Sequence, residues 1–281
     1  MDKQELITRL KEIVGPENVL NSEMDLMLYS YDASLDKAKP DVVVLPNSTE
    51  AVSKIMALAY KEKIPILGRG SGTNLTGGTV PLKGGIVVHF SRMNRILEIV
   101  DANRTATVQP GIITLDLQTE ELKNGFVYHP DPASQKVSTI GGTVAENSGG
   151  PHCLKYGVTS NHIQGLEVVL NDGTVINTGG KARDNPGYDV AALFVGSEGT
   201  IGLVTKAILK LERAPETVKT MLAVFEAIED GANTVSAIIA EGIIPATLEM
   251  MDNTVMRAVE ETIKVGYPLD AACVLIIELD G

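Results

Sequence analysis

The segment 68–78, GRGSGTNLTGG, holds five glycines in eleven residues and directly follows a short apolar run, IPIL, at 64–67. Such a run is typical of a buried strand. Glycine adopts positive φ and lets a ligand approach the backbone, so successive N–H groups can turn toward one anion. The sequence therefore predicts either a phosphate cradle at the end of a sheet strand or a flexible connector.

Two common phosphate-binding motifs do not fit this segment. A Walker loop requires Gly-Lys-Ser/Thr, which the segment lacks. A dinucleotide fingerprint requires a third glycine where Thr73 stands, followed at once by a helix. Here the residues that follow, TVP at 79–81 and a glycine pair at 84–85, break helices. The cradle, if present, is of another kind.

The residues before the glycine-rich segment predict a βαβ unit. Residues 41–45, DVVVL, are typical of a buried strand, and apolar residues from Val52 to Ala59 recur at helical spacing. Asn47 and Glu50 resemble a capping pair that opens this helix. The two strands would be parallel, and the glycine-rich segment would leave the carboxyl end of the second, where ligands of α/β sheets commonly bind.

The next part of the chain predicts an α+β domain and not a regular doubly wound one, because several short strands follow the βαβ unit. Asn-Asp-Gly at 171–173 lies between two strand patterns and predicts a hairpin. The predicted strands are 86–90, 96–100, 105–109, 163–170, 174–177 and 203–211, with helices at 114–124 and, in a short form, at 188–194.

Two further clusters of small residues follow the first. The stretch 131–150, DPASQKVSTIGGTVAENSGG, is long for a structureless loop in a compact domain, and such loops are usually functional or disordered. Its apolar Val137, Ile140 and Val144 argue against disorder. The third cluster is GSEGTIG at 196–202. Three such clusters exceed what connectors require, so we expect one extended ligand across several loops.

Past residue 214 the chain alternates between strand and helix patterns. The predicted elements are strands at 220–225, 243–249 and 273–279, a helix ending at Gly242 and a helix capped by Asp252. The pattern stops directly after a strong strand, so we expect the second domain to be incomplete. The predicted organisation is an N-terminal helical segment at 1–35, a ligand-binding domain at 36–214 and a partial second domain at 215–281.

Composition excludes several classes of function. A net charge of −12 argues against nucleic acid or an anionic membrane as the main partner. No apolar run approaches the roughly eighteen residues of a membrane span. The four histidines show no metal-binding spacing, and no Gly-x-Ser-x-Gly motif is present. Two distant cysteines suggest no disulfide framework, and we expect a cytoplasmic protein.

The ordered clusters resemble the group of flavin-dependent glycolate oxidase subunits and D-lactate dehydrogenases in the vanillyl-alcohol oxidase superfamily. This resemblance implies a PCMH-type FAD-binding domain, with a small βαβ subdomain and a larger mixed α+β subdomain, followed by the start of an α+β cap domain. The segments that carry it, within 40–211, are PDVVVLPNSTEAV, ILGRGSGTNLTGG, DPASQKVSTIGGTVAENSGGPHCLKYGVT, GLEVVLNDGTVINTG and GYDVAALFVGSEGTIGLVTKAILKL.

The resemblance also implies which residues contact FAD. The first loop would wrap the diphosphate with backbone amides, the second region would follow the ribityl chain and flavin, and the third would meet the adenosine half or the flavin edge. Arg69 is either a phosphate partner or a solvated surface charge. The implied residues are Pro46, Gly68, Arg69, Gly70, Ser71, Gly72, Thr73, Asn74, Pro132, Ser134, Ser138, Thr139, Gly141, Gly142, Asn147, Gly149, Gly150, Tyr156, Gly157, Val158, Glu198, Gly199 and Ile201.

The implied reaction is oxidation of a 2-hydroxy acid, such as glycolate or D-lactate, to the 2-oxo acid, with hydride transfer to flavin N5. Some members of the superfamily attach flavin through a histidine in the first loop. No histidine lies in 68–78, so we expect non-covalent FAD. The catalytic groups would come largely from the cap and later segments, so none is assigned. His129 and His152 are weak candidates for lining the flavin pocket.

Two alternatives remain open at this point. The chain could be an FAD-binding fragment or electron-transfer subunit without independent catalysis. The same domain could also serve another chemistry, such as reduction of a UDP-sugar enolpyruvyl group or oxidation of a sugar or alcohol. The expected partners are a small-molecule substrate and an electron acceptor, either partner subunits or an electron-transfer protein, and the sequence is compatible with a homo-oligomer.

Overall fold

The computed structural model describes residues 1–182 and 187–281. The chain begins with helix α1 (Lys3–Val14), which Asp2 caps by accepting a hydrogen bond from the Glu5 N–H at 2.8 Å. Strand β1 (Val19–Leu20) and helix α2 (Glu23–Leu28) follow. Within the described ranges, none of the helices combines the length and apolar character that a bilayer crossing demands.

The first sheet contains the predicted βαβ unit, formed by β2 (Val42–Val44), α3 (Thr49–Glu62) and β3 (Ile66–Arg69). The parallel orientation is confirmed, but β4 (Ile86–His89) lies between the two strands, giving the order β1-β2-β4-β3. Helices α1 and α3 pack their apolar residues against this sheet. A prediction about the start of α3 was wrong, because Ser48, and not Asn47, accepts from the Ala51 N–H.

The second sheet has five antiparallel strands in the order β5-β6-β10-β8-β9. The hairpin predicted from Asn-Asp-Gly is confirmed as β8 and β9. The elements of this part are β5 (Ile96–Val100), β6 (Thr105–Val108), α4 (Thr114–Leu122), β7 (Phe126–Val127), α5 (Ile140–Glu146), α6 (Cys153–Tyr156), β8 (Ile163–Val169), β9 (Val175–Gly179) and β10 (Leu203–Lys210).

Two differences from the sequence-based expectation occur here. Helix α5 lies inside the small-residue stretch 131–150, for which no regular element was predicted. The helix expected at 188–194 is only a single 3-10 turn, Ala191–Leu193. Helix α5 was missed because a short element rich in small residues carries too little apolar periodicity to be recognised locally. The helix at 188–194 was overpredicted, because so short a run is marginal as a helix.

The last part of the chain forms a three-stranded antiparallel sheet, which we call the cap sheet. Its elements are β12 (Val218–Phe225), α7 (Ile228–Ala240), β13 (Thr247–Asp252), α8 (Asn253–Thr262) and β14 (Cys273–Asp280), and β11 (Glu212–Arg213), which precedes it, pairs with β7. The order is β12-β14-β13. The cap at Asp252 is confirmed, whereas the strand expected to start at 243 begins at Thr247. The α+β prediction is therefore confirmed.

Candidate functional site

The three clusters of small residues line one continuous groove between the first two sheets. The groove opens where the carboxyl end of β3 meets the first residues of β10, and its empty volume, counting the part open to solvent, is about 1230 Å³. The residues implied by the sequence that line it are Gly68, Arg69, Gly70, Ser71, Gly72, Thr73, Asn74, Ser134, Ser138, Thr139, Gly141, Gly142, Glu198 and Gly199. The fold thus brings together segments that are distant in sequence.

The first loop presents backbone N–H groups without protein acceptors. Among the described residues, none of the N–H groups from Ser71 to Gly78 donates to another protein atom. The loop is fixed instead through its other groups: Asn74 donates its side-chain amide to Asp32 at 2.7 Å, and its carbonyl accepts from the Ala33 N–H at 3.1 Å. An anchored run of free amides is suited to a phosphate group.

Arg69 supports this loop from behind. Its side chain is buried, and Nη1 donates to Oγ1 of Thr79 at 3.2 Å while the guanidinium lies 5.7 Å from the ring centroid of Tyr29. Gly72 has a φ of +71°, which favours glycine, and a Cβ added there would lie 2.7 Å from the Arg69 Cζ, so glycine lets the loop close over the guanidinium. The contacts indicate a positioning role for Arg69, and its contact with a phosphate stays a prediction.

The start of α5 forms the opposite wall of the groove, where glycine lets a ligand come close to the backbone. Thr139 caps the helix by accepting from the Gly142 N–H at 3.2 Å, while the Gly141 N–H donates to the Pro110 carbonyl at 2.7 Å. These N–H groups already have acceptors, so this wall offers few donors to an anion. A Cβ at Gly141 would lie 2.6 Å from the Pro110 Cβ, which explains why glycine is needed there.

Two carboxylates, Glu146 and Glu198, also line the groove. Burial, together with the charges of Glu198 and Asp32, raises the pKa of Glu146. Carboxylates repel phosphate but accept hydrogen bonds from hydroxyl groups. The groove therefore has free amides suited to a diphosphate and carboxylates suited to the hydroxyls of a ribityl or ribose chain.

Apolar side chains complete the lining. Phe90, Phe194 and Leu203 are each less than a tenth exposed and face the groove. These residues were not predicted, because isolated aromatic and aliphatic side chains at strand ends carry no binding signal in the sequence. The other lining residues that were not predicted are Leu75, Gly78, Thr79, Pro110, Thr143, Ala145, Glu146, Ser148, Ser197, Gly202 and Val204.

The remaining implied residues lie outside the groove lining, and their contact with a cofactor stays a prediction. Tyr156 stacks on His129 with ring centroids 3.3 Å apart, and its hydroxyl donates to Asp280. His129 and His152 also lie outside the lining. The implied residues that do not line the groove are Pro46, Pro132, Asn147, Gly149, Gly150, Tyr156, Gly157, Val158 and Ile201.

A groove with anchored free amides, carboxylates and apolar walls is suited to a nucleotide cofactor that carries a diphosphate. Fold and site thus define the class of α+β proteins that bind such a cofactor. The family of FAD binding domains matches residues 40–179, and the C-terminal domain of FAD linked oxidases matches residues 214–281. The chain belongs to the FAD-linked oxidoreductases of the p-cresol methylhydroxylase and vanillyl-alcohol oxidase family, and FAD is its cofactor.

Curated relatives support this assignment. The glycolate oxidase subunit GlcD of Bacillus subtilis is 52% identical over 275 residues, covering 97% of this chain and 58% of that protein. GlcD of Escherichia coli K12 is 41% identical, covering 100% and 56% respectively. A D-lactate dehydrogenase of Anaerostipes hadrus is 35% identical, covering 94% and 56%. The chain therefore spans a little over half the length of these relatives.

Solved structures share the fold. An alkyldihydroxyacetonephosphate synthase superimposes with a TM-score of 0.88 at 24% identity, covering 100% of this chain and 56% of that one. p-Cresol methylhydroxylase with bound substrate superimposes with a TM-score of 0.80 at 19% identity, covering 99% and 60%.

Proposed function

We propose that this chain holds FAD non-covalently in the groove and takes part in oxidising a 2-hydroxy acid, such as glycolate or D-lactate, to the 2-oxo acid. The observation that carries the proposal is the convergence of three small-residue loops on one groove in a chain 52% identical to a glycolate oxidase subunit. When bound, FAD supplies a two-electron acceptor for the hydride of the substrate α-carbon.

The residues of this chain would bind and shield the cofactor. The free amides of the segment 71–74 would hold the diphosphate, and Glu146 with Glu198 would accept hydrogen bonds from sugar hydroxyls. Phe90 and Leu203 would exclude water from the rings. His129 and His152 lie outside the groove lining, so neither is assigned as the base that takes the hydroxyl proton of the substrate.

The non-covalent attachment has a direct test. The first loop offers no histidine to form a bond with flavin. Acid or heat precipitation of the FAD-loaded protein should release the yellow colour to the supernatant. Colour retained by the washed precipitate would contradict the proposal.

The oxidation itself is tested by anaerobic bleaching of bound flavin. Glycolate and D-lactate should lower the visible absorbance of the flavin, and L-lactate serves as the stereochemical control. Turnover with a dye acceptor would then identify an electron acceptor class. Flavin that binds but is bleached by no hydroxy acid would contradict the oxidase role.

One alternative is favoured by a specific observation, the coverage of little more than half of each relative. In that case the chain is an FAD-binding fragment or electron-transfer subunit, and flavin would bind without bleaching. Bleaching by a sugar, an alcohol or a nicotinamide cofactor alone would instead indicate another chemistry on the same domain. We also propose that the chain works with partner subunits or as a homo-oligomer and that it is cytoplasmic. Its proposed domain boundaries lie at residues 35 and 214.

A further inference from the structure

Outside the groove, His152 lies between two carboxylates from different parts of the fold. Its Nδ1 is 2.7 Å from Oδ2 of Asp131, and its Nε2 is 3.0 Å from Oε1 of Glu278. Asp131 begins the stretch that lines the groove at Ser134, whereas Glu278 belongs to β14 of the cap sheet. The imidazole of His152 therefore connects the FAD-binding region, residues 40–179, to the cap sheet.

A second connection lies two residues further along the same strand. Residues two apart on a strand point to the same face, so the side chain of Asp280, like that of Glu278, faces the FAD-binding region. Its carboxylate accepts from Lys155 and from the hydroxyl of Tyr156. Burial alone would raise the pKa of Asp280, but these donors outweigh it and the pKa lies below its usual range. We call these contacts of β14 with His152, Lys155 and Tyr156 the cap joint.

The cap joint is connected to the groove through short, tightly packed segments. Helix α6 follows Ser148, which lines the groove and whose carbonyl accepts from the Thr159 N–H at 3.1 Å and hydroxyl at 2.7 Å. Between them, Gly150 packs on Asp131 so closely that a Cβ would lie 2.5 Å from its Oδ1. A displacement of α6 would therefore move the segments that carry Ser134 and Ser148, both of which line the groove.

The charges at the cap joint favour its hydrogen bonds near neutral pH. The bond to Asp131, aided by Glu278, raises the pKa of His152 to about 9. The other titratable ring that faces it, His129 at 6.4 Å, has its pKa lowered to about 4 by burial and carries no charge at pH 7. No group of three or more His, Cys, Asp or Glu within residues 1–182 and 187–281 is placed to hold a metal ion.

We propose that Glu278 and Asp280 are positioning residues for the FAD groove, which hold the segments 131–139 and 145–156 in their cofactor-binding arrangement through His152 and Tyr156. The proposal deepens the FAD-binding function stated above and rests on it. It assigns to the cap sheet a role in cofactor binding although no residue of that sheet is among the described residues that line the groove.

The first test requires no cofactor. Hydrogen exchange of the FAD-free chain is compared for Glu278→Gln, Asp280→Asn and the control Glu249→Gln, an exposed glutamate on β13 of the same sheet. Faster exchange in 145–156 is expected in the first two variants and not in the control. Unchanged exchange in both would overturn the proposal, and exchange raised over the whole chain would show unfolding and overturn the local role.

The second test is FAD titration of the same variants between pH 6 and 10. Removal of one member of such a coupled network should weaken FAD binding by roughly two- to thirty-fold. The affinity of the wild type should fall as pH rises toward 9, and Glu278→Gln should move that fall to lower pH because one carboxylate no longer stabilises the imidazolium. Asp280→Glu should restore part of the affinity lost in Asp280→Asn.

The outcomes separate this proposal from the one it rests on. A wild type that binds no FAD at any pH would contradict the proposed function. A wild type that binds FAD, with Glu278→Gln and Asp280→Asn binding equally well and with the same pH profile, would contradict the cap joint alone.

Discussion

Glu121 is the most unfavourably placed carboxyl group in the described part of the chain. Its side chain is fully buried in α4, and neither carboxyl oxygen has a hydrogen-bond partner among the described residues. Burial raises its pKa to about 8. The folded chain therefore favours the protonated carboxyl group, and every increase in pH between 4.5 and 8 lowers the free energy of unfolding.

Replacing Glu121 by methionine should consequently stabilise the protein. Methionine keeps the length of the side chain and removes the unpaired polar atoms, so we expect the free energy of unfolding to rise by about 1–3 kcal/mol. The gain should be larger at pH 8 than at pH 5, as measured by urea denaturation. An equal gain at both values would contradict the assigned pKa.

His152 is a second group whose pKa is raised by folding, but here the protonated form has partners and stabilises the folded chain. Its folded pKa of about 9 exceeds the unfolded value of 6.5, so its contribution is fully present below pH 6.5 and is lost as pH rises through 9. The ring is partly exposed, which leaves about 1–2 kcal/mol after solvent screening. The difference in unfolding free energy between wild type and His152→Gln should shrink over this window, and a constant difference would contradict the cap joint's charge.

At the residue scale, the sequence predicted the glycines that let the backbone approach a ligand but not what holds them. Gly72 was recognisable from its place in 68–78, whereas the packing of Arg69 beneath it depends on Tyr29 and Thr79, which meet only in the fold. The resemblance implied that Tyr156 lies along the flavin, and this contact stays a prediction. What the sequence could not show is that its hydroxyl donates to Asp280, a partner 124 residues away.

At the scale of elements, helix α5 determines the shape of the groove. It is only seven residues long and contains two glycines, so its own propensity is poor. It is held by the cap at Thr139 and by the hydrogen bond from Gly141 to Pro110. Tertiary contacts therefore place the groove wall.

Gly141→Ala tests this placement. The added Cβ would collide with Pro110, so α5 must shift and FAD binding should weaken about tenfold or more. Gly180→Ala is the matched control, since its Cβ would meet no atom within 4 Å. Flavin fluorescence titration measures both. Equal affinities for the two variants would show that the wall at Gly141 does not contact the cofactor closely.

The elements themselves were predictable where they bury a continuous apolar run. Strands β2, β5 and β8 match their sequence patterns because Val, Ile and Leu dominate them. Helix α5 was missed for lack of such a run. The insertion of β4 between β2 and β3 was also missed, because strand order depends on contacts distant in sequence.

At the scale of the whole molecule, FAD should act as a bridge that stabilises the fold. Its groove joins residues of the first sheet, α5 and β10, so binding to the folded chain shifts unfolding by mass action. At a hundredfold excess over Kd the gain is about 2.7 kcal/mol, which corresponds to a rise in Tm of roughly 5–10 °C. A thermal scan with and without FAD checks this, with riboflavin, which lacks the diphosphate, as the control. An equal rise with riboflavin would contradict the role of the free amides.

The central claim is that three separated loops bind one FAD molecule. Hydrogen exchange of the chain with and without one equivalent of FAD measures this directly. We expect protection to appear together in the segments 69–79, 134–142 and 196–204, and to saturate at one FAD per chain. Protection confined to a single segment, or absent from all three, would contradict the account.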